Sequence, residues 1–498
     1  MLQWCILNIE RRSPNGIAWS YLSLASVTML SWVPLVWHHV PVADDFAFME
    51  LVRDGGLTGY LARCGVWRPL GQYIPTAVLL RSADLVPVLV LGTHIVNTLL
   101  FFAVSRRLFD GLKLPFFVAL VFGIFPFGYQ AQTCMINYNY LLPVTFFLGN
   151  VLLLTALRST RLTTGWVFLA SCLLCLGAML SNECLFFSTI ASGLFAWTAS
   201  SPPSFTASFR GRAILAYAPL LSAGIWVVSY WILKAEGVPK TPAFHAATIV
   251  SVYARQYSLL HIFEPWFDPV TRALLFFRWT AVTAAVVAVL AGIFSAALFR
   301  LAHVSTPRTE SRIDLRRLFL VLSSLLVGGS AIFVIAGGYS LDSRKKYPLL
   351  VLMLWMAAWC WRAVRRERGV AWRPFVAATA LAVLAGAPTA WLVAGIWKHE
   401  VSRYNQLADF IVAWQIEGPV VINGDPNVYK AWPHFSTTLG YRLDDDWVLN
   451  LAVQYRGGGA VHVVSPGAPI PFGCTFLKYD ASAANWRVAP PSANAVEL

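Results

Sequence analysis

The most regular feature of this sequence is a series of long apolar stretches separated by short polar segments. Most stretches are about as long as the 17 to 25 residues that an α-helix needs to cross a bilayer. The pattern predicts an all-α polytopic membrane bundle of about eleven transmembrane helices. The predicted spans are 18–38, 85–105, 115–134, 141–157, 165–181, 184–200, 213–233, 279–299, 318–338, 347–361 and 375–397.

Basic residues divide the connections between these spans into two kinds. If the N-terminus is cytoplasmic, every arginine-rich connection falls on the inner face, as the positive-inside rule requires. These segments are 11–12, 106–113, 158–161, 210–212, 300–317 and 362–373. The outer face then receives the loop with Asp44 and Asp45, the Asn182–Glu183 turn and the whole C-terminal part of the chain. In a bacterial envelope this orientation predicts an inner-membrane protein with a periplasmic or extracellular C-terminus.

The pattern changes at about residue 398. An amphipathic helix is predicted over 401–416, and short β-rich runs follow at 419–422, 461–464 and 475–477, separated by Gly and Pro. We therefore predict two domains, a transmembrane domain over 1–397 and a small outer-face α/β domain over 398–498.

Composition agrees with a membrane location and excludes several classes of protein. The 498 residues are 57% hydrophobic and 12% charged, whereas soluble domains are about 25% charged. The net charge of +14 is explained by the cytoplasmic loops and does not indicate nucleic-acid binding. The eight Cys residues show no metal-ligand spacing.

Unusual polar residues collect on the predicted outer face. Asp44 and Asp45 follow the first span, Arg68 lies in a Trp-Arg-Pro-Leu turn, and Glu183 separates two spans. Arg344, Lys345 and Lys346 precede Tyr347 at the start of a late span. A carboxylate can accept a proton from an attacking hydroxyl, and Arg or Lys can hold a phosphate leaving group. The set is suited to a charged substrate at a membrane surface.

Each of these residues also has a simpler interpretation. Asp44 could cap the helix that follows it, Arg68 could anchor at the lipid headgroups, and Arg344 to Lys346 could snorkel to the interface. Glu183 could be paired structurally. His38 and His39 lie near the acids, but no third ligand completes a recognisable metal site.

The order of these features resembles the polytopic C-type (GT-C) glycosyltransferases, a superfamily that includes the protein O-mannosyltransferases and the aminoarabinose transferases. The shared layout covers about residues 1–365: a first span, an acidic pair, an amphipathic stretch, an Arg-Pro turn and an acid between later spans. This chain has Asn182 where a Lys is common in the family.

The resemblance implies an enzyme that moves a hexosyl or pentosyl group from a polyprenyl-phosphate carrier to a glycan, lipid or protein acceptor. It implies that Asp44 or Asp45 is the catalytic base, and that Arg68, Glu183, Arg344, Lys345 and Tyr347 contact substrate. A divalent metal is a candidate cofactor for stabilising the leaving phosphate, and the sequence leaves the metal requirement open.

Two other classes of protein fit parts of the pattern. An envelope polysaccharide polymerase or ligase would use essential Arg and His in a large outer loop, and Lys234–Arg278 carries Arg255 and His261. A lipid or glycan transporter would show repeats and charges near mid-membrane, whereas the charges here cluster at one face.

Overall fold

The computed structural model describes a mostly helical chain with one small β-sheet. The described residues are 14–33, 44–63, 68–82, 85–109, 111–124, 138–156, 164–198, 209–233, 315–335, 343–368, 405–423, 446–464, 469–480 and 485–489, with Thr379, Gly386 and Ser402.

The helices of the first 370 residues follow the apolar stretches of the sequence. They are α1 (Pro14–Trp32), α2 (Asp44–Arg63), α3 (Ile74–Arg81), α4 (Leu85–Leu108), α5 (Lys113–Ile124), α6 (Tyr138–Ala156), α7 (Thr164–Ser181), α8 (Phe186–Ala191), α9 (Phe195–Thr198), α10 (Phe209–Leu233), α11 (Leu315–Ile335) and α12 (Ser343–Arg368). A π-helical turn, Pro69–Tyr73, precedes α3, and two 3₁₀ turns, Glu183–Leu185 and Ser192–Leu194, flank α8.

Four segments of the described chain are long and apolar enough to cross a membrane, which makes this an integral membrane protein. They are Leu85–Leu108, Tyr138–Thr155, Gly211–Tyr230 and Tyr347–Arg365. Shorter apolar helices cover Lys113–Ile124, Gly165–Ser181 and Glu183–Leu194. The predicted span 279–299 lies outside the described residues, as does 375–397 apart from Thr379 and Gly386. The count of about eleven spans therefore stays a prediction.

Helix α4 is central to the bundle. It contacts α1, α3, α5 and α6, and at about 1.5 Å per residue its 24 residues extend roughly 36 Å. Its buried stripe mixes phenylalanines with polar residues, among them His94, Asn97 and Ser105. Because hydrocarbon offers polar groups no partner, these side chains bond to neighbouring helices instead.

Helix α12 is tied to α4 by hydrogen bonds along its length. Near the start of α12 the Tyr347 hydroxyl lies 2.9 Å from His94 Nδ1, and farther along Trp355 Nε1 donates to Ser105 Oγ at 2.9 Å. Close to its other end, Arg362 Nη1 donates to the Leu108 carbonyl at 3.2 Å. From one contact to the next the residue numbers rise in both helices, so α4 and α12 run parallel.

The C-terminal part contains a helix over 405–413 and a four-stranded sheet. The strands are β1 (Gly418–Asn423), β2 (Val461–Val463), β3 (Thr475–Asp480) and β4 (Asn485–Ala489), in the spatial order β2-β1-β3-β4. Strand β1 is parallel to both β2 and β3, and β4 is antiparallel to β3. The parallel β1–β2 pair needs a crossover connection, and helix α13 (Asp446–Tyr455) lies in it and contacts β2.

Helix α13 also contacts α2, the helix of the first predicted outer loop. The Arg53 guanidinium carbon lies 5.3 Å from the centre of the Tyr455 ring, in cation–π geometry. The region that carries the sheet thus packs against the helix that begins with the two predicted acids. The domain boundary at about residue 398 stays a prediction.

Candidate functional site

The clearest charged feature of the described chain is an ion pair between Arg68 and Glu183, which are 115 positions apart. Arg68 Nε donates to Glu183 Oε2 at 2.7 Å, and Arg68 Nη2 donates to Glu183 Oε1. The pair is therefore bidentate, the geometry that gives a guanidinium its strongest hold on a carboxylate. The side chains are 16% and 30% exposed respectively, so the pair is largely but not completely shielded from solvent.

The position of Arg68 is set by the π-helical turn that follows it. Pro69 opens the π-helical turn, where its missing N–H removes no hydrogen bond, and Gln72 N donates to the Arg68 carbonyl at 3.0 Å. The Gln72 side chain accepts a hydrogen bond of 2.8 Å from the Tyr60 hydroxyl of α2. These bonds join the first-loop helix to the turn that presents Arg68.

The Glu183 side is fixed by a local cap. Asn182 adopts an extended backbone, and its Oδ1 accepts a hydrogen bond of 2.9 Å from the Cys184 amide. This bond satisfies an N–H at the start of the 3₁₀ turn. Glu183 is held at the boundary between α7 and α8, and α12 contacts the same turn.

The pair keeps Arg68 a permanent cation. Burial acts to lower the pKa of Arg68, but attraction to the Glu183 carboxylate and the hydrogen bonds between them outweigh it and raise that pKa. Two of the five N–H groups of the guanidinium bond to Glu183, so the others can bind an anionic group.

Gly71 is the point at which the π-helical turn meets α6 and α7. A Cβ at this position would lie 2.7 Å from Asn139 Cβ and 2.9 Å from Asn139 Cα, and would also collide with the Ser181 carbonyl. Because two of these obstacles are backbone atoms, no side-chain rotation can make room. The glycine allows the close approach that brings Arg68 to Glu183.

Gly71→Ala is therefore expected to lower the free energy of unfolding by about 2 kcal/mol, in the range of overpacked cores. Thermal denaturation of the purified protein measures the loss. Gly92→Ala on α4 is the matched control because a Cβ there meets nothing within 4 Å, and its stability should not fall. Equal stability of the two variants would contradict the close contact described at Gly71.

Asp44 and Asp45 are the first two residues of α2. Helix α2 is kinked at Gly56, whose backbone is not helical. It contacts the π-helical turn and α3, through Val52 before the kink, which packs in one cluster with Tyr73, and through Tyr60 after it, whose ring lies 5.9 Å from that of Tyr73. The backbone therefore puts the acids in the first turn of a helix that packs beside the Arg68 turn. Their side-chain positions lie outside what the structure describes, as do His38 and His39. The catalytic and the helix-capping interpretations of the acids both remain compatible with this position.

Arg344 and Lys345 lie in the first turn of α12, and their side chains are likewise not described. Tyr347 is buried among α4 and α5 side chains, and its hydroxyl meets His94 and Asn97. His94 and Asn97 were not among the residues predicted from the sequence. The available signal was two polar residues three positions apart in an apolar span, a spacing that puts both on one helix face.

Two buried amide atoms beside the ion pair have no hydrogen-bond partner among the described residues. They are Asn139 Oδ1 and Asn182 Nδ2, and both residues are 2% exposed. No three His, Cys, Asp or Glu side chains converge on a metal-binding geometry within the described part of the chain.

Two solved structures are similar to the chain. ArnT from Cupriavidus metallidurans, bound to undecaprenyl phosphate, is 14% identical, with a TM-score of 0.35, and the match covers 93% of this chain and 94% of ArnT. An oligosaccharyltransferase from Archaeoglobus fulgidus, tethered to an acceptor peptide, is 13% identical, with a TM-score of 0.32. That match covers 90% of this chain and 64% of the archaeal chain.

No protein-family model matches the sequence, and no curated protein matches it significantly.

Proposed function

We propose that this protein is an integral-membrane glycosyltransferase of the C type. It moves a sugar from a polyprenyl-phosphate carrier to a glycan, lipid or protein acceptor at the outer face. The observation that carries the proposal is the bidentate Arg68–Glu183 pair, next to the helix that begins with Asp44 and Asp45. Charges gathered at one end of apolar helices, rather than spread along them, suit a reaction between a lipid-linked donor and an acceptor at the interface.

The proposed reaction is a direct displacement at the anomeric carbon. Asp44 or Asp45 takes the proton of an acceptor hydroxyl, whose oxygen forms a bond to the anomeric carbon. The bond from that carbon to the phosphate oxygen breaks, and polyprenyl phosphate leaves with the electron pair. A single displacement inverts the anomeric configuration.

Arg344 and Lys345 are the proposed contacts of the carrier phosphate. They lie in the first turn of a 26-residue helix, where unpaired backbone N–H groups and the helix dipole already favour an anion. Arg68 is held by Glu183 on a turn that α12 contacts, and it supplies further cationic character. Tyr347 contributes through its position on α12.

The test is a transfer assay with purified protein in liposomes and synthetic polyprenyl-phosphate donors carrying a labelled pentose or hexose. We expect the label to move to an added envelope extract and free polyprenyl phosphate to accumulate. A transporter would leave the sugar–phosphate bond intact while moving the lipid between leaflets. Intact donor in every assay, with lipid translocation, would contradict the enzymatic proposal and support transport.

Arg344→Ala is expected to weaken donor binding by about 10- to 100-fold, the effect of losing one hydrogen bond to a charged group. Arg344→Lys should recover only part of the affinity because an ammonium cannot bind phosphate in the bidentate manner of a guanidinium. Binding of undecaprenyl phosphate to the purified variants measures both effects. Lys113→Ala, in the first turn of α5 at the predicted inner face, is the matched control, and affinity there should match the parent.

A further inference from the structure

A chain of hydrogen bonds inside the helix bundle connects Tyr347 to four other helices. The Tyr347 hydroxyl lies 2.9 Å from His94 Nδ1 and accepts from Asn97 Nδ2 at 3.1 Å. On its other side, His94 Nε2 lies 2.9 Å from the Gly123 carbonyl of α5. Trp32 Nε1 of α1 donates to that same carbonyl at 3.0 Å.

The Gly123 carbonyl, at one end of this hydrogen-bond network, determines which group donates and which accepts in each bond. The Gly123 carbonyl can only accept, so the neutral imidazole of His94, in this apolar setting, carries its proton on Nε2 and offers a lone pair at Nδ1. Tyr347 must then donate to His94, and its oxygen is free to accept from Asn97. The same carbonyl is among the last four of α5, which have no partner within the helix.

Asn97 is fully used by the same network. Its two amide hydrogens go to the Leu141 carbonyl at 2.9 Å and to Tyr347, and its Oδ1 accepts from Thr145 at 2.6 Å. No hydrogen on Asn97 is left over, so the amide has one orientation. A single arrangement of donors and acceptors therefore holds the Tyr347 hydroxyl at one point.

The backbone of α12 lacks one helical hydrogen bond next to this side-chain anchor. Pro348 is inside α12 and has no N–H to donate to the Arg344 carbonyl four residues earlier. The turn that carries Arg344 and Lys345 thus lacks a helical hydrogen bond, and Tyr347 is the adjacent residue that ties it to the bundle.

We propose that His94 and Asn97 are positioning residues, which hold Tyr347 and thereby fix the Arg344–Lys345 turn for contact with the carrier phosphate. The link to the carrier rests on the function proposed above. We assign His94 and Asn97 more than a role in packing because hydrogen bonds between helices in hydrocarbon add little stability. A fully satisfied network of one orientation instead restricts how α12 can rotate and shift.

The test compares two hydrogen bonds that join α4 to α12, His94–Tyr347 and Ser105–Trp355. His94→Phe keeps an aromatic ring and removes the bond to Tyr347, and Tyr347→Phe removes the hydroxyl with the least change of shape. Ser105→Ala is the matched control because it removes the equivalent bond from Trp355, two turns deeper in α12. Hydrogen–deuterium exchange of residues 345–352 should become at least about fivefold faster in the first two variants and stay unchanged in Ser105→Ala.

Binding of undecaprenyl phosphate then tests the link to the carrier. His94→Phe is expected to weaken it about tenfold, and Ser105→Ala by less than about twofold. Combining His94→Phe with Arg344→Ala should weaken binding no further than Arg344→Ala alone, since both act on one contact.

The outcomes separate the two proposals. If exchange over 345–352 is the same in His94→Phe as in Ser105→Ala, or if the losses from His94→Phe and Arg344→Ala multiply, the positioning role is overturned. If Arg344→Ala alone leaves undecaprenyl phosphate binding unchanged, the proposed carrier site is overturned, and with it the link from His94 to the carrier.

Discussion

Replacing both Asp44 and Asp45 by Asn is expected to lower sugar transfer by about 10²- to 10⁴-fold, the usual contribution of a general base. Asn keeps the size and much of the hydrogen bonding of Asp but cannot accept the proton of the attacking hydroxyl. Binding of the donor should persist, since the proposed phosphate contacts lie on α12. The measurement is the rate of transfer and the donor affinity of the same preparation.

Asp54→Asn is the matched control for this experiment. Asp54 lies on the same helix, has a side chain that is 47% exposed, and pairs with its neighbour Arg53 at 3.1 Å. Removing a charge there tests whether any loss of acid from α2 slows the reaction. Single Asp44→Asn and Asp45→Asn variants identify the base, and normal turnover in the double variant would remove the first loop from the catalytic centre.

The second large effect is expected at the ion pair. Glu183→Leu should lower the free energy of unfolding by about 3 kcal/mol, because it leaves the largely buried Arg68 cation without its carboxylate. The value is at the lower end for buried pairs because Glu183 keeps 30% exposure. The double variant Arg68→Met/Glu183→Leu removes both charges and should be more stable than Glu183→Leu alone.

An exposed pair of the same chain provides the control. Arg456 Nε donates to Asp409 at 2.6 Å, but the Asp409 side chain is 65% exposed. Surface pairs contribute at most about 1 kcal/mol, so Asp409→Leu should change stability far less than Glu183→Leu. A double variant at Arg68 and Glu183 that is no more stable than Glu183→Leu would show that the unpaired cation is not the cause.

The sequence predicted individual residues of the site better than their contacts. Arg68 and Glu183 were each singled out because a charge beside apolar spans is unusual. Their pairing could not be predicted, since 115 positions separate them and no local pattern records which loops meet. The close contact at Gly71 could not be predicted for the same reason, because it depends on α6 and α7 both approaching the π-helical turn.

Secondary structure could be predicted where a segment is rich in residues that favour one type of structure. The Val-rich runs at 419–422 and 461–464 and the Thr-Phe-Leu run at 475–477 coincide with β1, β2 and β3. Strand β4, with the sequence Asn-Trp-Arg-Val-Ala, was missed because it is short, partly polar and exposed along much of its length. It is extended because it pairs with β3, and the local sequence preference does not include this tertiary effect.

The predicted late span 347–361 begins at the same residue as the membrane-crossing segment Tyr347–Arg365. Helix α12 itself starts earlier, at Ser343, because the charged residues before Tyr347 are helical without being apolar, and it continues through Pro348. A proline so near the start of a helix removes only one backbone bond, and the Tyr347 side chain supplies another tie at this point.

The long separation within the Arg68–Glu183 pair also has a consequence for biosynthesis. Arg68 cannot meet its carboxylate until 115 further residues have been made, which takes roughly 6 to 23 s at 5 to 20 residues per second. During that interval the chain from α4 to α7 is made, including two segments long enough to cross a membrane, while Arg68 still lacks its carboxylate. The Asn182–Glu183 turn must therefore be made before the segment that carries Arg68 can be fixed against the helix bundle.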